Sequence, residues 1–429
     1  MNTVSKKSYG KLYIEKKSAQ EWMVFLIIIL PFIFAPLTEV FGLPGFISFS
    51  LDLLLVCLCG IMLAGRYFSV KKNIRPLVIL VSAFFVYTFI VYGFNFQSPF
   101  YYLWGLRNNF RFYIAFFVFT VYIREEAAIS FLKLFDILFW VNFAASLIQF
   151  FFLGVNQDNL GGIFGVGGGT NGYTLLFFCI VISKSLLDTF NGQGKAYSCI
   201  LKIVASIVIA AMAEMKFYYI AFILILIITA FLTRFSKKKL VLILLSIVGV
   251  FAGVALLSFL FDEFESFVSL DSILEIATKE NYSSQKDVNR LSAIFTLAKD
   301  YVTTLPERLF GMGLGNCDTS ELSIFNSHFY QTHSYLHYTW FSSAMLFLET
   351  GLIGIALYIS FFVICILFAR KKLREQAGNK LFCQLAIVIA VMCCVIMVYN
   401  SSLRIEAGYM AYLVLALPFI ADTASQRTK

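Results

Sequence analysis

Four cations and three histidines are the side chains best suited to chemistry in this sequence. Arg107 and Arg111 are four residues apart, so they share one face of a helix. An inward-facing guanidinium pair could clamp a phosphate or pyrophosphate bidentately. The alternative is a pair of arginines snorkelling at a helix end. Lys216 stands beside Glu214 at a short turn, where it could meet an anionic lipid head group or serve as a plain charged turn tip. Arg290 is expected in the first turn of a helix capped by Asp287. A cation there opposes the helix dipole, and a bound anion would remove the conflict. The other reading is a solvated arginine. His328, His333 and His337 form one cluster. The four-residue spacing of His333 and His337 could suit a metal, but no Glu follows His333 directly and no third ligand is evident. His333 fits general-base work better: it is expected near a helix start, where the dipole favours neutral imidazole. A histidine simply bonded to its own loop is the competing reading.

The elements that carry these residues are apolar helices. Hydrophobic residues make up 60% of the 429-residue chain and charged residues 14%, with a mean hydropathy of +0.82. Such a composition excludes an ordinary soluble globule. A spanning helix needs ~20 mostly apolar residues. Candidate stretches are 22–42, 48–65, 76–95, 108–123, 132–153, 173–190, 199–213, 217–233, 240–261, 351–369, 381–399 and 408–421. The fold class expected is therefore all-α, a polytopic membrane protein of about twelve transmembrane helices. Polar–apolar alternation is not sustained, which argues against a β-barrel. The first apolar run follows a lysine-rich arm and has no small-residue cleavage site, so no cleavable signal peptide is expected. Pro31 and Pro36 should kink that run.

Basic residues set the orientation. With the N-terminus inside, the inner segments hold Lys6, Lys7, Lys11, Lys16, Lys17, Arg66, Lys71, Lys72 and Arg75. They also hold Arg234, Lys237, Lys238, Lys239, Arg370, Lys371, Lys372, Arg374 and Lys380. The +9 formal charge is then mostly an orientation signal, and no basic stacking surface for nucleic acid is visible. Both termini are expected to be cytoplasmic. Residues 1–429 read as a single integral domain, with one long outer loop, 262–332, between the ninth and tenth spans. That loop is acidic, with 11 carboxylates against 5 basic residues. Long ordered loops commonly carry function.

Within the loop, Val288, Leu291, Ile294, Phe295, Ala298 and Val302 recur at helical spacing and predict an amphipathic helix. A further helical run over about 334–350 should stay on the outer side, partly re-entrant. A full crossing there would place Arg370 to Arg374 outside. Phe100, Tyr101, Tyr102 and Trp104 are expected at the outer interface, which puts Arg111 about one turn below it. Gly161 to Gly172 forms a glycine-rich outer loop without the Lys-Ser/Thr of a P-loop. It either admits close backbone approach or is a flexible connector. Of nine cysteines only Cys317 falls in the long loop, so no disulfide framework is expected.

The stretch Thr332-His-Ser-Tyr-Leu336, followed by Leu348-Glu-Thr-Gly-Leu-Ile-Gly354, resembles the signature of the O-antigen ligase and polymerase superfamily. Arg308-Leu-Phe-Gly-Met-Gly-Leu-Gly-Asn316 is similar to that family's Leu-Phe-Gly-x-Gly-x-Gly segment, and Arg290 to the arginine ahead of it. Gly162-Ile-Phe-Gly165 with Asn171-Gly172 resembles the element before its sixth span. Two departures stand out. The His333 element is one residue short, and the interval to Glu349 is longer by about two helical turns. Lys216 stands where the family more often has arginine.

The resemblance implies a C-type glycosyltransferase-like fold in the bacterial inner membrane, with no metal or other cofactor. The donor would be a glycan on undecaprenyl pyrophosphate, and a chain-length regulator would be among the partners. Arg107, Arg111, Lys216 and Arg290 would bind the leaving pyrophosphate, and His333 would take the acceptor's proton. The activity expected is a surface-polysaccharide polymerase (O-antigen or capsule). A ligase moving finished glycan to another acceptor is the close alternative, and a lipid-glycan transporter the more distant one.

Overall fold

The computed structural model describes residues 19–64, 73–260, 287–320 and 322–427. The basic residues Lys6 to Lys17, Arg66, Lys71 and Lys72, and the loop segment 261–286, lie outside the described residues. The first nine α-helices are α1 (Ala19–Ile29), α2 (Phe49–Ala64), α3 (Arg75–Phe94), α4 (Pro99–Tyr122), α5 (Glu125–Leu153), α6 (Thr170–Phe190), α7 (Ala196–Met212), α8 (Lys216–Leu232) and α9 (Lys237–Leu260). Three short helices follow, α10 (Ala293–Asp300), α11 (Leu305–Phe310) and α12 (His328–His333). The chain ends in α13 (Ser342–Arg374), α14 (Lys380–Tyr399) and α15 (Gly408–Arg427).

A helix stands at each of the twelve apolar stretches. Among the described residues seven helices are long and apolar enough to cross a membrane, which marks the chain as a membrane protein. Four more apolar helices are shorter. α4 falls outside both groups because its first half carries Arg107, Asn108, Asn109 and Arg111. After α1 the chain passes through a 3₁₀ turn containing Pro31 and a π turn beginning at Pro36. Each proline lacks the N–H that a continuous helix needs there.

Contacts between junctions sort the helix ends into two groups. At one end Arg124 pairs with Glu21 at 2.8 Å, Asn379 bonds Glu125 at 3.1 Å and Lys380 bonds Asn191 at 2.7 Å. At the other end Asp52 meets Arg107, Asn171 meets the Ala213 carbonyl, and Ser342 meets the Asn400 carbonyl. The helices therefore run up and down, and the loop segments 287–341 lie at the second end. α6 and α14 are buried on most sides, whereas α2, α3 and α9 carry exposed apolar faces.

α13 is two helices joined at Gly351, whose φ of 61° and ψ of −168° lie outside the helical region. The helical run expected over about 334–350 is shorter: residues 334–340 form two 3₁₀ turns around a left-handed His337, and the α-helix begins at Ser342. Every residue from Ser342 to Gly351 is buried, so the short first piece is enclosed by protein.

Two expectations for the loop are corrected. The helix begins at Ala293, so Arg290 precedes it and Asp287 does not cap it. The Val288 N–H bonds the Leu336 carbonyl, and Asn289 Oδ1 accepts from the Leu291 N–H, which holds 287–292 as a turn. Helical phase therefore does not run across it. Ala293 and Leu297 face inward with Val288 and Val302, while Leu291 and Phe295 are exposed.

Candidate functional site

The glycine segment 311–315 exists to reach the break in α13. A helix end leaves its last carbonyls without partners. Here the Met312 and Gly313 N–H groups donate to the Leu348 and Glu349 carbonyls at 2.8 and 3.1 Å. The Tyr87 hydroxyl donates to the Thr350 carbonyl at 2.7 Å. A Cβ at Gly311 would press on the Glu349–Thr350 peptide, and one at Gly315 on the Tyr101 carbonyl. Side chains are excluded by the closeness of the backbones.

Glu349 lies at this junction with no exposed surface. Its Oε1 accepts the Gly315 N–H at 3.0 Å, and its Oε2 faces Arg404 Nη1 at 3.1 Å. Arg404 also reaches Asp318 Oδ2 at 2.8 Å and Asn109 Oδ1 at 3.2 Å. Asn108 donates to the same Asp318 oxygen at 2.7 Å. One guanidinium thus joins α4, the glycine segment and α13. Burial alone would lower the Arg404 pKa. The neighbouring Glu349 and Asp318 outweigh that and raise it above the ordinary arginine value.

Arg107 and Arg111 do share a face of α4, and both meet carboxylates. Arg107 Nε and Nη2 lie 2.8 and 2.7 Å from Asp52 Oδ2, and the guanidinium rests 4.7 Å from the Phe49 and Trp104 ring centres. Arg111 is 5% exposed. Its Nη1 lies 3.0 Å from Glu406 Oε1, and its Nη2 donates to the Arg404 carbonyl at 2.7 Å. Tyr173 donates to the other Glu406 oxygen at 2.8 Å. Burial would raise the Glu406 pKa, but Arg111 and Tyr173 hold it below its ordinary value. Arg111 sits about three turns into α4, which starts at Pro99. Trp104, expected at a lipid interface, instead stacks on Phe325 and donates to the Thr319 carbonyl at 3.0 Å.

Arg290 and Phe217, the residue after Lys216, meet on the ring of Tyr399. Phe217 stacks on the Tyr399 ring at 4.0 Å with 12° between the planes. The Arg290 guanidinium lies 4.3 Å from the same centroid. One face of the ring cannot hold both, so Arg290 takes the other face. Lys216 precedes Phe217 and pairs with Glu214 at 2.9 Å. Both cations are partly exposed at the loop end.

His333 ends α12 rather than starting a helix, so the dipole argument for a neutral ring does not apply. Its tautomer has another basis. Nδ1 lies 3.2 Å from the Phe329 carbonyl, which can only accept, so Nδ1 carries the proton. In the neutral ring that leaves Nε2 as the acceptor that a general base requires. The ring stacks on Phe329 at 4.5 Å and meets Tyr301 edge-on at 5.2 Å. Partial burial and the Tyr335 hydroxyl push the Tyr301 phenol up to about 12. His337 stacks instead on Trp340 at 4.2 Å. Among the described residues no three His, Cys, Asp or Glu side chains gather as metal ligands.

The other glycine loop shows close approach. Gly162 N–H donates to Gln149 Oε1 at 2.7 Å, Ile163 N–H to Asn142 Oδ1 at 3.0 Å, and Val166 N–H to Glu39 Oε1 at 2.7 Å. Its first half is seated on Asn142 and Gln149 of α5 and on Glu39 of the π turn, while Gly167 to Gly169 have open space around them.

Tyr399, Arg404, Glu406, Asp318 and Asp52 are absent from the residues singled out by sequence. The available signal was Arg404 with Glu406 in the short turn between the last two apolar runs. The chain matches no family model, and no curated protein matches it.

Proposed function

We propose that this chain is a bacterial surface-polysaccharide polymerase of the inner membrane, with both termini cytoplasmic and the loop end outside. It extends O-antigen or capsule chains from an undecaprenyl-pyrophosphate donor. The observation that carries the reading is the Arg290 guanidinium on the Tyr399 ring, whose other face is covered by Phe217, the residue after Lys216; both cations are partly exposed at one end of an apolar bundle. Such a pair suits a pyrophosphate anchored in the adjoining leaflet.

In this mechanism an acceptor sugar hydroxyl attacks the donor's anomeric carbon. His333 Nε2 takes the hydroxyl proton as the new C–O bond forms. The bond from the anomeric carbon to the phosphate oxygen breaks, and undecaprenyl pyrophosphate leaves with the electron pair. Arg290 and Lys216 stabilise the charge on that leaving group. Arg107 and Arg111 are less exposed and held by Asp52 and Glu406, so in this reading they hold the frame behind the site, while Lys216 exchanges its more exposed partner Glu214 for the phosphate.

Deleting the gene and examining the surface glycan tests the activity. Single repeats on the normal acceptor indicate a lost polymerase. Long lipid-linked chains that never reach the acceptor indicate a ligase instead. An unchanged surface glycan removes both.

A further inference from the structure

We propose that Arg404 is a positioning residue that sets the place and tautomer of His333 through Asp318. The inference rests on the role given above to His333, but its test does not. Arg404 Nη2 fixes Asp318 at 2.8 Å in a buried site. The Asp318 carbonyl accepts the Ser327 N–H at 3.2 Å. Ser327 is the N-cap of α12, its hydroxyl accepting from the Tyr330 N–H at 3.1 Å. The intervening segment is tied by Asn326 Oδ1, which accepts from the Ser320 N–H at 2.6 Å. The start of the helix that ends in His333 is therefore bolted to the residue that Arg404 holds.

A second path runs through the preceding residue. The Cys317 carbonyl accepts from the Tyr338 hydroxyl at 2.8 Å. Tyr338 packs edge-on against Phe329 at 5.5 Å. Phe329 supplies both the ring under His333 and the carbonyl that receives its Nδ1 proton. A shift of Cys317–Asp318 would move the cap and the stacking partner together.

The same turn also carries the cation side of the site. Tyr399, five residues before Arg404, holds Arg290. Arg111 fixes the turn's backbone by donating to the Arg404 carbonyl. Residues 399–406 thus register the base against the leaving-group cation, a distance on which transfer chemistry depends steeply. Neither Asp318 nor Arg404 needs to touch substrate for this.

The test uses the full chain in lipid nanodiscs with ¹⁵N-labelled histidine, and the three histidines keep the spectrum simple. Asp318→Asn is the main variant, because it keeps the Arg404–Glu349 pair and nearly the same volume. Arg404→Gln and Arg404→Lys accompany it. The wild type should show the Nδ1–H tautomer at His333 and slow amide exchange over 327–333. Asp318→Asn should mix the tautomers and speed exchange there by about tenfold, with 170–232 unchanged, and Arg404→Gln should do so by about tenfold more than any rise over 170–232. Arg404→Lys should restore part of both. The proposal is overturned if the His333 signal and the 327–333 rates stay at wild-type values in the Asn and Gln variants. Rates rising evenly across the bundle in Asp318→Asn, which keeps the Arg404–Glu349 pair, overturn it too, since that is general destabilisation. No substrate enters these measurements, so failure of the polymerase reading, seen as normal glycan length in His333→Ala, is separately visible.

Discussion

The guanidinium of Arg290 lies 4.3 Å from the centre of the Tyr399 ring. Arg290 comes from the long loop and Tyr399 from the end of α14, so the contact joins the loop to the bundle. Because Phe217 fills the other face, the ring also ties in α8 and the neighbouring Lys216.

Removing that ring should loosen the cation without deleting it. A cation–π contact contributes ~0.5–2 kcal/mol, so Tyr399→Leu should weaken pyrophosphate binding by about 2- to 30-fold. Tyr399→Phe should stay within about twofold. Isothermal titration of the purified protein with inorganic pyrophosphate reads both. Equal affinities for the Leu and Phe variants would remove the ring from the site.

His333→Ala and His333→Gln should abolish chain extension while leaving protein level unchanged. The Gln side chain cannot accept the acceptor's proton as imidazole does. Glycan length on gels, with immunoblots for protein, decides the matter. Long chains in either variant would take the base role from His333.

The Arg404 cluster should matter for stability. Removing one partner of a buried pair costs ~3–5 kcal/mol, because the other charge is left uncompensated. Arg404→Ala strands both Asp318 and Glu349 and should sharply lower the thermal midpoint in detergent. A midpoint within about 1 °C of wild type would show the cluster to be energetically idle.

Gly315→Ala should also destabilise, by about 3 kcal/mol or more. Its φ of 84° disfavours any side chain, and the added methyl would meet the Tyr101 carbonyl. Gly168→Ala has open space around its Cβ position and should be near neutral. Comparing the two melting curves separates close approach from mere flexibility.

Acid should unlock Glu406. Its folded pKa is held low by Arg111, so its stabilising contribution is complete above the ordinary glutamate value of about 4.3. As pH falls through the folded pKa the proton binds and the contribution is lost. Melting temperature should therefore fall more steeply with acid in wild type than in Glu406→Gln. Parallel curves would exclude Glu406 as a source of acid sensitivity.

The helical plan was legible because each apolar run reports on itself. The kink at Gly351 was not legible, for the sequence suggested only a helical run over about 334–350, of which the part before Ser342 is two 3₁₀ turns. The phase of α10 was misread because a turn held by Asn289 and Leu336 interrupts the helical period before Ala293. The Arg404 cluster was not legible, for its partners Asp318 and Glu349 are 86 and 55 residues away in sequence. The ion pairs of Arg107 and Arg111 were not legible because their carboxylates come from α2 (Asp52) and from the turn before α15 (Glu406), with no local relation to α4.

Binding of undecaprenyl pyrophosphate, compared with undecaprenyl monophosphate, tests the central claim most directly. Native mass spectrometry of the protein in nanodiscs can measure both. Wild type should prefer the pyrophosphate by at least about tenfold, and a Lys216→Ala, Arg290→Ala double variant should lose that preference. Equal binding of the two lipids by wild type, or an undiminished preference in the double variant, would contradict the account.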